Sequence, residues 1–135
     1  MGNRKLKKPD SPKERNLIKG ALRRVFSRSE LRKRALDAAV VKDYQDPSRK
    51  RVTRWGKCAS CGKLEPAYLL EIDHKEPLIP VGETLEEQSW DKVIDRLWCD
   101  ERNLQALCGP CHDIKSQAEM AERRRIKKEK KSNEK

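Results

Sequence analysis

Cys108-Gly109-Pro110-Cys111-His112 closes a metal-binding pattern that opens at Cys58-Ala59-Ser60-Cys61. The two CxxC pairs, separated by residues 62–107, supply four thiolates, the number a tetrahedral structural zinc takes. The second pair runs straight into His112, and the only other histidine, His74, directly follows Asp73. Both histidines and four of the five cysteines therefore fall in or beside one composite site. Paired CxxC units in a reducing compartment read as metal ligands rather than disulfides. The fifth cysteine, Cys99, lies between Trp98 and a turn and reads as a small buried residue.

Around this pattern, length and composition set the bounds. At 135 residues, 35% apolar and 41% charged, the chain is expected to form one domain with appendages and a small core. A metal staple fits that shortage of core. No apolar run approaches the roughly 20 residues that span a bilayer, and the basic N-terminal stretch lacks the apolar segment of a signal peptide. No membrane association and a cytoplasmic location are the expectations. The net charge of +11 is unevenly placed: +13 over residues 1–57, −6 over 58–112 and +4 over 113–135. Two basic arms around an acidic, metal-bearing centre suit a polyanion, through phosphate neutralisation and counterion release. Nucleic acid is the expected partner.

Taken in order, residues 1–10 are a polar, Lys-rich lead without periodicity. Ser11-Pro12-Lys13-Glu14 reads as a capping box, and the apolar spacing predicts a helix to about Phe26. Ser27-Arg28-Ser29-Glu30 repeats the signal for a second helix to about Tyr44. Arg49-Lys50-Arg51 is a basic linker, and Val52–Lys57 a short strand leading to the first cysteines. Gly62 supplies the positive φ that a tight metal knuckle requires. Ala67–Ile72 is the best strand candidate and delivers Asp73-His74 at its end. After Pro77 and Pro80 comes a capping box at Thr84. Trp90, Val93, Ile94, Leu97 and Trp98 then form one apolar helical face, read as core. Asp100–Asn103 breaks that helix, Leu104–Leu107 is a short strand, and Gly109-Pro110 opens a last helix ending in a Lys/Glu tail expected to fray.

Asp73-His74, Asn103-Leu104-Gln105-Ala106-Leu107-Cys108 and Cys111-His112 followed by Lys115 together resemble the HNH endonuclease signature. The likeness covers roughly residues 50–117 and is nearest to small phage and prophage HNH nucleases with a four-cysteine zinc. It implies an α+β fold: a ββα-metal core, treble-clef-like, with a four-cysteine structural zinc, flanked by basic α-helices. The corresponding division is a basic helical arm (1–50), a nuclease core (51–118) and a basic helix end and tail (119–135). By the same resemblance Asp73 and His112 bind the catalytic divalent cation, Mg2+, Mn2+ or another. His74 is the general base, and Asn103 holds the loop and orients His74 through its side-chain amide. Adjacent helical residues point about 100° apart, so Cys111 can face the zinc while His112 faces the strand end. Expected nucleic-acid contacts are Arg49, Lys50, Arg51, Arg54, Lys115, Arg123 and Arg124. DNA is the substrate implied, with phage packaging proteins as further partners and the host cytoplasm as the setting if the chain is phage-encoded.

A second reading of the same residues is a non-catalytic, zinc-stabilised treble-clef module that binds DNA. Four thiolates and basic arms serve both readings equally. Only Asp73, His74, Asn103 and His112 discriminate, because a binding module has no need of that set.

Overall fold

Two serines start the N-terminal helices. In the computed structural model, which describes residues 11–133, Ser11 caps α1 (Pro12–Phe26) and Ser29 caps α2 (Glu30–Ala39). Each hydroxyl accepts a backbone N–H three residues on, at 3.2 Å. The polar lead of residues 1–10 lies outside the described residues. α2 stops at Ala39, short of the expected Tyr44, because Val40 and Val41 are extended and form strand β1 (Val40–Val41). Branched Cβ atoms favour that choice. β1 pairs antiparallel with β2 (Trp55–Lys57), which pairs antiparallel with β3 (Leu64–Pro66). Gly56, in the middle strand, is a close-approach position: a Cβ there would collide with the Leu70 side chain.

The strand expected over Ala67–Ile72 is displaced. Ala67–Leu69 is a 3-10 turn, and the strand proper is β4 (Glu71–His74). Exposure explains the difference: Ala67 and Leu70 are buried while Tyr68 and Leu69 are exposed, a repeat of three rather than two. β4 still delivers Asp73 and His74 at its end. It pairs antiparallel with β5 (Leu104–Leu107), with Asp73 opposite Gln105 and His74 opposite Leu104. Between them lie a 3-10 turn at Leu85–Glu87, started by the Thr84 capping box, and α3 (Trp90–Leu97). α4 (Gly109–Asn133) follows β5 and continues unbroken past residue 118 to the end of the described residues. The fold is mixed α+β, with a three-stranded and a two-stranded antiparallel sheet. Among the described residues, no helix is long and apolar enough to cross a membrane.

The N-terminal helices are not a separable arm. Phe26 and Leu31 share one buried cluster with Leu78, Ile79, Leu85, Val93, Leu97 and Leu104. A second cluster joins Leu70, Ala106 and Leu107 to Cys58 and Cys108, and Ile72 touches both. Arg15, 8% exposed, stitches α1 to the segment before α3 by donating to Leu85 O at 3.0 Å and Gln88 O at 2.7 Å. Its guanidinium also stacks 4.5 Å from the Trp90 ring centre. A boundary at residue 50 therefore cuts through shared core, and β1 pairs with β2 across it. The α3 face is only partly core: Val93 and Leu97 are buried, but Ile94 and Trp98 are 40% and 36% exposed. Trp98 instead lays an edge on Phe26, with centroids 5.5 Å apart. Cys99 is half-buried against the first cluster.

Candidate metal centre and adjoining cleft

The two CxxC knuckles meet. All four Sγ atoms of Cys58, Cys61, Cys108 and Cys111 lie within 4.8 Å of one another, and Cys61 Sγ is 3.8 Å from Cys108 Sγ. Zinc–sulfur bonds of about 2.3 Å in a tetrahedron put the sulfurs roughly 3.8 Å apart, so a metal such as zinc fits this donor set. The first knuckle is closed by Gly62 N donating to Cys58 O at 3.0 Å, with Gly62 at φ 76° as the turn requires. It is tied to β5 by Ala59 N donating to Ala106 O at 2.8 Å. Burial pushes the Cys58 thiol up, but backbone N–H groups of Cys108, Cys61 and Ser60 outweigh it and hold Cys58 down at about 6. At Cys108 the backbone N–H of Cys111 pulls down, while burial and the surrounding thiols push it up to about 12. Thiolates this close repel one another, and a cation among them relieves that repulsion.

One residue beyond Cys111, His112 turns to a different neighbourhood. Its Nε2 lies 3.8 Å from Asp73 Oδ1, and its Nδ1 lies 3.2 Å from Glu71 Oε2. Glu71 and Asp73, two apart on β4, share a face of the strand. A neutral imidazole donating Nδ1–H to Glu71 leaves the Nε2 lone pair directed at Asp73. The other Asp73 oxygen, Oδ2, is taken by Lys115 Nζ at 3.1 Å and Gln105 Nε2 at 3.1 Å. Lys115 also donates to His74 O at 3.1 Å and pairs with Glu119. Burial alone would push the Lys115 ammonium down; the bonds to Glu119 and Asp73 outweigh it, so it is raised.

His74 points to the other side of β4. Its Nε2 lies 2.9 Å from Leu97 O, and its ring packs 5.1 Å from Phe26. A carbonyl only accepts, so Nε2 carries the proton and Nδ1 of the neutral ring is the free acceptor. Asn103 holds the loop as expected, but by contacts with the backbone and not with the imidazole. Its amide Oδ1 accepts from Glu76 N at 3.0 Å and its carbonyl from Lys75 N at 2.7 Å, so it clamps the chain after His74 rather than touching the imidazole.

Asp73 and His74 line a cleft of about 460 Å³ together with Lys19 and Arg23 of α1 and Lys115 and Arg123 of α4. Of the expected nucleic-acid contacts, Lys115 and Arg123 are in this cleft. Arg49, Lys50, Arg51 and Arg54 line other concavities; Arg54 pairs with Asp37 at 2.5 Å and Arg49 sits 5.8 Å from the Trp55 ring centre. Arg124 is exposed on α4. Four residues of this neighbourhood escaped the sequence reading: Glu71, Gln105, Lys19 and Arg23. The signal for Glu71 was available, two positions before Asp73 on a strand; the α1 pair carried none beyond charge. No family model, curated protein or solved structure matches the chain.

Proposed function

We propose that the chain is a metal-dependent endonuclease of the HNH type that hydrolyses DNA phosphodiester bonds. In this reading β4, β5 and the start of α4 are its ββα-metal core, and the four-cysteine cluster is a structural zinc site. The observation that carries the reading is the meeting of Asp73 Oδ1 and His112 Nε2, 3.8 Å apart, where Asp73 and its neighbour His74 line a cation-rich cleft. An ion about 2.1 Å from each donor can bridge a separation up to about 4.2 Å, so a carboxylate and an imidazole at this distance fit one divalent cation, such as Mg2+ or Mn2+. Asp73 and His112 would hold it; when bound, it supplies Lewis acidity at the scissile phosphate and charge for the departing 3′ oxygen.

The remaining steps belong to the chain's own side chains. Glu71 orients His112 by accepting its Nδ1–H, as carboxylate partners of metal-ligating histidines do. Lys115 and Gln105 grip Asp73 Oδ2 and so leave Oδ1 directed at His112. Two protein donors leave most of a six-coordinate shell for water and phosphate oxygens. His74, its Nε2–H committed to Leu97 O, presents Nδ1 to take a proton from the attacking water. Asn103 fixes the Lys75–Glu76 backbone and with it the end of β4. Products carry 5′-phosphate and 3′-hydroxyl ends.

Incubation of the zinc-loaded protein with supercoiled plasmid, with Mg2+ or Mn2+ and with EDTA as control, tests the reading. Relaxed or linear plasmid is expected with the cation and none with EDTA. Plasmid left intact under every divalent cation, by protein that still binds it, would leave the zinc-stabilised DNA-binding module in its place.

A further inference from the structure

The cleft holds a second group of charges that the hydrolytic chemistry does not use. Lys19 and Arg23 stand at i and i+4 on α1, which puts them on one face of the helix. Arg123 joins them from α4, its guanidinium held by the carbonyls of Ile79 and Pro80. The carboxylates in the same cleft make their contacts with other groups, none of them with Lys19, Arg23 or Arg123. Glu119 pairs with Lys115, Asp73 with Lys115 and Gln105, and Glu83 accepts from Gln88 at 3.2 Å. Among the described residues, Lys19, Arg23 and Arg123 form no ion pair. Further along α4 the pattern is the opposite: Arg125 pairs with both Glu122 and Glu129.

Crowding has a measurable sign. Burial first, and then the charges of Arg23 and Arg123, push the Lys19 ammonium below its ordinary value. Three cations from two helices, converging with no direct ion-pair partner among the described residues, form a site that a polyanion relieves and a neutral or cationic ligand does not. Arginine suits that task because its planar fork meets two phosphate oxygens at once.

Resting on the nuclease reading, we propose that Lys19, Arg23 and Arg123 form a phosphate clamp that grips the DNA backbone beside the phosphate presented to Asp73 and His74. The clamp positions the strand and takes no part in bond breaking. It also gives α1 a direct role in substrate binding, which a diffuse basic arm would not have.

The test is binding of a short fluorescein-labelled DNA duplex to the zinc-loaded protein without added Mg2+ or Mn2+, across a salt series. Each lost phosphate contact removes about 0.9 from the slope of log affinity on log salt. Lys19→Ala/Arg23→Ala is therefore expected to flatten the slope by about 1.8, which is roughly tenfold in affinity change between about 50 and about 200 mM salt. Lys127→Ala/Lys128→Ala, on the exposed end of α4, removes the same charge and should flatten it less. Lys19→Arg/Arg23→Lys should restore most of the wild-type slope, and an unchanged thermal midpoint shows that the fold is kept. A wild-type slope in Lys19→Ala/Arg23→Ala, or an equal flattening in the tail variant, overturns the clamp. Because the readout is binding, the two readings fail separately. Plasmid cutting with an unaltered salt slope removes the clamp alone; a flattened slope without cutting keeps the anion site and removes the nuclease.

Discussion

Cys111 and His112 are neighbours on the first turn of α4, yet they serve two regions built on opposite plans. The thiol cluster is closed: four donors from two knuckles, all within 4.8 Å of one another, could fill a tetrahedral metal shell with no position left for substrate. The Asp73–His112 pair is open, with two donors 3.8 Å apart, of which Asp73 lines a cleft. One helix start supports both, so the closed region holds the open one in register. Cys108 and Cys111 pin the start of α4 to the first knuckle, and the roughly 100° step to the next residue aims His112 at β4. On the proposed reading, the difference is how a chain with a small core would place a reactive pair: a metal held by the four thiols would replace the missing apolar mass around it.

The comparison breaks most completely at the staple. Cys58→Ser should abolish tight zinc binding and unfold the domain, because structural zinc contributes on the order of 10 kcal/mol in small domains. That is comparable with the whole margin of about 5–15 kcal/mol that holds a typical domain folded. Zinc stoichiometry and far-UV circular dichroism check it, and a folded variant with one tight zinc would sever the two regions. A smaller effect should follow from His112→Ala, which removes a donor from the open site alone. The variant should keep its zinc and fold but bind the catalytic cation more weakly, by more than the roughly 10–100-fold that loss of an orienting partner costs. Cleavage should recover in part at high cation concentration. Glu71→Gln sharpens the comparison further. It leaves both donors in place and removes only the carboxylate at His112 Nδ1, so a loss of about 10–100-fold in cation affinity is expected by calorimetry. An unaltered affinity would mean that the negative charge of Glu71 contributes nothing to the ligand strength of His112.

Local chemistry made much of this molecule legible in its sequence. Ser11, Ser29 and Thr84 announce their helical turns because a capping hydroxyl acts within three residues. The CxxC pairs announce the cluster because ligand spacing is itself short-range. Strands of two or three residues, such as β1 and β3, carry no period to read and exist through their pairing with β2. Ala67–Leu70 was read as strand because its apolar residues are contiguous; only burial separates Ala67 and Leu70 from Tyr68 and Leu69. Nothing near Arg15 in the sequence marks its role, since its partners Leu85 and Gln88 are about seventy residues away. Lys19 and Arg23 were hidden in the same way: nothing on α1 indicates that Arg123 will join them. Asn103 was placed in the right neighbourhood but given a different contact, because reach to a backbone N–H rather than to the imidazole is decided by the turn.

The central claim is that His74 works as a base in an open metal site, and one variant tests it most directly. His74→Ala removes the free Nδ1 acceptor but neither Asp73 nor His112. Single-turnover cleavage of plasmid should be measured for both proteins at saturating cation, with zinc content, DNA affinity and cation affinity determined on the same samples. A fall in rate of roughly 10²–10⁴, with those three properties retained, is the predicted result. Cleavage by His74→Ala at the wild-type rate would contradict it.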